Sequence, residues 1–407
     1  MDLGLLHSGT RSIISSKMRY DFDKIVERRG SDCVKYDALK SVYGREDLTP
    51  LWVADMDFET PDFIINAIKE RLEHPILGYG IIPEEFWQSI IDWQFAHNAW
   101  KIDKESLRFI PGIVKGIALV INAMTQPGDK VIIQTPVYHP FRIVPQKNGR
   151  EVVYNTLKEL PNGSYEMDFD NLKQVYDERC KVLILSNPHN PAGIVWSKDS
   201  LQQLASFCHS HGVLVISDEI HSDMVLWGGK HIPFATVSKE AADCSITFAA
   251  PSKTFNIAGV VSSYSVVLNP EIRDRFYHFL DANEMDSPHI FAPAATIAAF
   301  RQGEQWRRQM LEYIEGNIIA IEDFCKTHLP QIKPLRPQAS FLVWLDCRGL
   351  KMSQEQLQTL FVQDAHLALN DGEMFGEQGR GFMRLNVGCP RSVLMQAMES
   401  LKTAIEA

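Results

Sequence analysis

The stretch KVLILSNPHNPAGIVWSKDSLQQLASFCHSHGVLVISDEIH, residues 181–221, holds two apolar runs with a helical pattern between them. VLILS (182–186) and VLVIS (213–217) are built from Val, Ile and Leu and are stopped by Asn-Pro and Asp-Glu, so each reads as a short buried strand. Between them, KDSLQQLASFCHSHG (198–212) sets Leu201, Leu204, Ala205 and Cys208 on one face and ends at Gly212, as an amphipathic helix with a C-terminal stop does. Strand, helix and strand in that order predict two parallel strands joined by a right-handed crossover.

Two further runs of the same kind flank this unit, DKVIIQTPVY (129–138) and CSITFAAPSK (244–253). The expected fold is therefore α/β, a large domain with a mainly parallel sheet flanked by helices. Open parallel sheets bind ligands beyond the carboxyl ends of their strands, and Tyr138, Asn190, Asp218 and Lys253 all fall there. Farther on, residues 304–329 have the length and pattern of a long helix, ASFLVWLDCRG (339–349) reads as a strand, and 379–407 reads as strand, turn and final helix. This tail suits a smaller α+β domain. We expect the large domain over 56–290, the small one over 18–55 with 291–407, and a loose leader over 1–17, with Met18 an alternative start to Met1.

Composition narrows the function. Hydrophobic residues at 45% and charged residues at 23% are ordinary globular values, and a formal net charge of -10 disfavours nucleic acid or an anionic membrane as partner. Small-molecule chemistry is the better expectation. Seven scattered cysteines (Cys33, Cys180, Cys208, Cys244, Cys325, Cys347 and Cys389) form no Cys-x-x-Cys pair, which suits reduced thiols and a cytoplasmic location. No metal site is expected. Residues 1–17 are too broken by Gly, Ser, Thr and His for a signal-peptide core, and no run reaches the length of a membrane span.

Three residues carry the chemical argument. Lysines are ordinarily solvated surface charges, yet Lys253 follows a strand and is flanked by Pro251, Ser252 and Thr254, where an amine can meet a carbonyl cofactor and form a Schiff base. Asp218 ends VLVIS, and a carboxylate buried there needs a cation or several donors. A helix N-cap would satisfy it, and so would a protonated pyridine nitrogen. Asn190 lies in NPHNPAG, a loop stiffened by two prolines; it is either an ordinary turn residue or an amide donor held towards a phenolate oxygen, and Asn190-Pro191 is a candidate cis bond.

SNPHNPAG, SDEIH, APSKTFNIAG and RLNVGCPR, in this order and spacing, resemble the class I/II aminotransferase superfamily of fold-type I pyridoxal-phosphate enzymes from about residue 18 to the C-terminus. LWVADMDF and SDEIHSDMV are similar to its cystathionine β-lyase branch, the C-S lyases. The resemblance implies pyridoxal 5'-phosphate as cofactor, with Lys253 as Schiff-base lysine, Asp218 as partner of the ring nitrogen and Asn190 as donor to the phenolate oxygen. It further implies that Tyr138 stacks on the ring and that the backbone N–H groups of Ile113 and Val114 bind the phosphate. Tyr79 would reach the phosphate of a neighbouring subunit, which means a homodimer with shared sites, and Arg384 would clamp the substrate carboxylate.

Two departures from the common aminotransferase pattern stand out. His221 occupies the place of a tyrosine that bonds the cofactor oxygen, and TFNIAGVVSSYS after Lys253 lacks the usual phosphate-binding arginine, which leaves backbone, Ser252 and Tyr79 for that task. The activity the resemblance implies is cleavage of cystathionine or a related S-substituted cysteine to a thiol such as homocysteine, pyruvate and ammonia. An aminotransferase is the alternative within the fold, and a regulatory binding protein is the alternative of another class.

Overall fold

The computed structural model describes residues 20–407, so the expected leader and the alternative start at Met18 lie outside the described residues. The main sheet has seven strands, β1 (Leu107–Ile110), β2 (Lys130–Ile133), β3 (Glu151–Tyr154), β4 (Cys180–Ser186), β5 (Leu214–Asp218), β6 (Ser245–Ala249) and β7 (Ser263–Val266), in the spatial order β1-β7-β6-β5-β4-β2-β3. Strands β3, β2, β4, β5 and β6 run parallel, while β7 runs antiparallel to both β6 and β1. All four runs read from the sequence are strands here. β1, β3 and the reversed β7 were not anticipated.

Burial of both faces explains why the central strands are continuously apolar. Side chains alternate across the sheet: Val131, Ile133, Ile184, Ile216 and Ile246 pack towards helix α1 (Ile113–Met124), whereas Ile132, Leu183, Leu185 and Val215 pack towards helix α2 (Lys198–Ser210). Leu201, Leu204, Ala205 and Cys208 are the buried face of α2, as the periodicity predicts. Ser197 caps it by accepting from the Ser200 N–H at 3.1 Å, and the chain turns away at Gly212 with φ 64°.

A second, antiparallel sheet holds β8 (Lys333–Leu335), β9 (Leu342–Asp346), β10 (Asn370–Asp371) and β11 (Phe382–Asn386) in the order β8-β9-β11-β10. Helices α3 (Glu304–His328) and α4 (Arg391–Glu406) share its core through Ile314, Ile318, Leu394 and Leu401. The N-terminal stretch joins this layer: the ring of Phe22 meets Trp306 at 5.6 Å and Tyr313 at 5.5 Å, and Thr49–Pro50 pairs in parallel with Leu367–Ala368. The two sheets therefore approach each other where the loops after β4, β5 and β6 emerge, with β11 supplying Arg384 from the opposite side.

Candidate active site

Strands β4, β5 and β6 are neighbours, and their register sets Ser186 opposite Asp218 and Asp218 opposite Phe248. Their carboxyl ends open into a cavity of about 300 Å³ whose wall includes Tyr138, Asn190, Asp218, His221, Ser252 and Lys253. Ile113 and Val114, at the start of α1, form another part of the same wall. Eight of the ten residues singled out from sequence thus meet in one place. Arg384 stands one contact away, and Tyr79 lies elsewhere on the surface, fully exposed in a run with Ile76, Leu77 and Ile81.

Asp218 forms part of the wall and is buried, with one hydrogen bond from the Ile220 N–H at 3.1 Å. Burial pushes its carboxyl up to about 7; the Ile220 N–H and Lys253 oppose this, and Glu219 adds to it. Lys253 is only partly exposed, and burial lowers its ammonium to about 8 against the pull of Asp55, with Arg384 lowering it further and Asp218 opposing. Its Nζ donates to the carbonyl of Ala54. That carbonyl belongs to LWVADMDF, whose backbone is held by Asn386 Nδ2, donating to Val53 O and Asp55 O at 2.7 Å each, and by Asn256 Nδ2, donating to Met56 O at 2.9 Å.

Asn190 lies in a loop in which Asn187-Pro188 and Asn190-Pro191 are both cis, as expected for the second. Its backbone N–H donates to Ser186 Oγ at 3.1 Å, and its carbonyl accepts from the Tyr138 N–H at 3.1 Å. Arg384 Nη1 donates to Asn190 Oδ1 at 3.1 Å, which leaves the amide Nδ2 as the donor for the cavity. Burial raises the Tyr138 phenol, with Arg384 opposing. His221 is kept neutral by burial and by Lys253 and Arg384, which lower it to about 3, and its Nδ1 has no partner.

Arg384 is 4% exposed, pairs with no carboxylate among the described residues, and is lowered to about 10 by burial. Nη2 donates to Asn370 Oδ1 at 2.6 Å and to Trp52 O at 3.1 Å, the guanidinium lies 4.9 Å over Phe375, and Nε is unpaired. A buried cation with neutral partners only and a free N–H is suited to an incoming carboxylate. At the start of α1, Gly112 turns the chain into the helix with φ 114°, and the first N–H groups of that helix have no intrahelical partners. One end of the site thus suits an anion, and the Asp218 floor suits a cationic N–H.

Sequence reasoning missed Ala54, Ser186, Ser262 and Ser263 in the wall, and Asn370 and Asn386 behind it. Ala54 acts through its backbone and leaves no side-chain signal. Asn386 lies within RLNVG, two residues after Arg384.

The sequence profile of the family described as aminotransferase class I and II matches residues 46–401. The chain belongs to this family. It is 41% identical over 386 residues to the cystathionine beta-lyase PatB of Bacillus subtilis (strain 168), across 95% of this chain and 100% of that one. Among solved structures, cystalysin from Treponema denticola, described as containing a pyridoxal 5'-phosphate cofactor, matches with a TM-score of 0.92 and 32% identity over 96% of this chain and 99% of that one. The pyridoxal-phosphate-bound C-S lyase from Staphylococcus hominis matches with a TM-score of 0.88 and 33% identity, again over 96% and 99%. The fold-type I expectation holds.

Proposed function

We propose that this protein is a pyridoxal-phosphate-dependent carbon-sulfur β-lyase that converts cystathionine or a related S-substituted cysteine, with water, to a thiol, pyruvate and ammonia. The observation that carries this reading is the full-length kinship with a cystathionine beta-lyase and a C-S lyase.

The residues of the cavity fit the cofactor. A buried carboxylate with a single hydrogen bond, Asp218, calls for a cationic N–H such as a protonated pyridine nitrogen. The free N–H groups of Ile113 and Val114, with the Ser252 hydroxyl, suit the phosphate, and Asn190 Nδ2 suits the phenolate oxygen. Tyr138 and His221 would contact the ring, and Lys253 would hold the cofactor covalently. Bound there, pyridoxal phosphate supplies an electron sink for the negative charge that forms at Cα.

The side chains do the rest. Arg384 grips the substrate carboxylate and, through Asn190, ties that grip to the cofactor site. Lys253, with its ammonium lowered to about 8, has a neutral fraction near physiological pH and takes the Cα proton once its amine is free. Asp218, held negative by a cationic partner, keeps the electron sink in its effective form. The Cβ–S bond then breaks, the thiolate leaves, and water releases pyruvate and ammonia.

The same reading includes a homodimer, supported by the exposed apolar run Ile76, Leu77, Tyr79 and Ile81, with Tyr79 donated to the partner's phosphate site. A cytoplasmic location agrees with seven free cysteines, six of them buried, and no helix among the described residues is long and apolar enough to cross a membrane. The division into a large unit over 56–290 and a small unit built from 18–55 with 291–407 draws support from the two separate sheets. The family description favours a second reading, an aminotransferase, which shares every step up to loss of the Cα proton. Incubation with L-cystathionine and no keto acid separates them: continuous release of thiol and pyruvate is expected, and product formed only from amino acid plus 2-oxoglutarate would overturn the lyase.

A further inference from the structure

Directly behind Asp218 lies a second carboxylate that the chemistry above does not use. Successive residues of a strand face opposite sides, so Ser217 points away from the cavity that Asp218 helps to line, and Glu219, just past the end of β5, joins Ser217 on that far side through a 2.9 Å hydrogen bond. The Glu219 side chain is 3% exposed and that of His231 is 1% exposed. Glu219 Oε1 accepts from Ser217 Oγ at 2.9 Å and the Phe234 N–H at 2.8 Å, with Asn187 Nδ2 farther off at 3.4 Å, and Oε2 meets His231 Nε2 at 2.7 Å. No Lys or Arg among the described residues forms an ion pair with it.

Every partner of the Glu219 carboxylate is placed to donate: Ser217 Oγ, the Phe234 N–H, Asn187 Nδ2 and His231 Nε2, and the His231 ring has no second partner at Nδ1. Asn187 ties this cluster to the loop of Asn190: its N–H donates to Asp218 O at 2.9 Å and its Nδ2 to Ile232 O at 3.0 Å. The charged and titratable groups acting on Asp218 are Lys253 from the β6 loop, Tyr138 from the β2 side and Glu219 from its own segment, while Asp55, His221 and Arg384 act on Lys253. Glu219 is the carboxylate that acts on Asp218 directly, and it sits at the strand end where a cationic ring nitrogen would be held.

We infer that Glu219 is a positioning residue whose negative charge, acting across β5, reinforces the hold of Asp218 on a protonated ring nitrogen, and that Ser217 and His231 keep that charge fixed. The inference rests on the cofactor reading above. It adds a second anion to the floor of the site and gives the buried Glu219–His231 pair a role in setting the cofactor's protonation.

The test is the ¹⁵N NMR signal of holoenzyme loaded with ring-¹⁵N pyridoxal phosphate, followed with pH and without substrate. Glu219→Gln should lower the pH at which the ring nitrogen loses its proton by about one unit and lower kcat about tenfold with little change in KM. Glu219→Asp, which keeps the charge while disturbing packing, should titrate close to wild type. His231→Leu removes the partner of Glu219 Oε2 and should shift the titration in the same direction as Glu219→Gln, whichever of the two variants loads better. An unshifted ¹⁵N titration in either charge-weakening variant overturns the inference, even where its melting temperature falls. Wild-type protein that loads cofactor and releases no thiol would contradict the lyase reading instead, and the ¹⁵N comparison would still decide the role of Glu219.

Discussion

Lys253 and Asp218 face one cavity from the ends of neighbouring parallel strands, yet the Lys253 ammonium hydrogen-bonds the Ala54 carbonyl and not the Asp218 carboxylate. The two groups are near enough to influence each other's charge and remain unpaired. Each is thereby left available for a third component, the amine for a carbonyl and the carboxylate for a cationic ring.

Asp218→Asn should act in opposite directions on stability and turnover. In cofactor-free protein the Asp218 carboxyl is pushed up to about 7, so between its ordinary range and that value the folded state binds a proton the unfolded state lacks. Stability contributed by that proton is present at low pH and is lost as pH rises towards 7. The amide removes this loss, and thermal melts of cofactor-free protein should show the variant more stable at pH 8, by on the order of a few kcal/mol, with the gap closing near pH 4. Cofactor-loaded Asp218→Asn should meanwhile lose roughly 100-fold or more in kcat. Equal melts at both pH values would remove the buried charge from the account.

Arg384→Lys should raise KM for amino-acid substrates roughly 10- to 100-fold with a smaller change in kcat, because an ammonium cannot reproduce a planar two-point grip while also holding Asn190 and Asn370. Steady-state kinetics check this. An unchanged KM would take Arg384 out of substrate binding.

Tyr79→Ala should weaken pyridoxal phosphate binding about tenfold, the scale of one lost charge-assisted hydrogen bond, and should also loosen the dimer, since the ring is fully exposed within its own chain and belongs to the apolar run proposed as the dimer contact. Cofactor titration by absorbance and sedimentation of the same sample read the two effects together. Unaltered affinity in a dimeric variant would leave Tyr79 without a role at the site.

The central sheet was legible because strands buried on both faces are apolar at every position, as in Val182–Leu185 and Val213–Ile216. β3, EVVY, is half-buried at an edge, and β7, SYSV, is short, polar and antiparallel, so neither carries that signal. Among site residues, Lys253, Asp218 and Asn190 were readable because charge or a doubly proline-braced amide at a strand end is expensive without a function. Ala54 was not, because its contribution is a carbonyl brought to Lys253 across 199 residues. Glu219 was in plain view in SDEIH, but its partner His231 lies twelve residues on, beyond a turn no local pattern predicts.

The central claim is that the cavity at the ends of β4, β5 and β6 holds the cofactor on Lys253. Borohydride reduction of loaded protein, followed by proteolysis and mass spectrometry, tests it most directly. One pyridoxyl-modified peptide is expected, carrying the adduct at Lys253 and absent from Lys253→Ala treated alike. An adduct on any other lysine of the wild-type chain would contradict it.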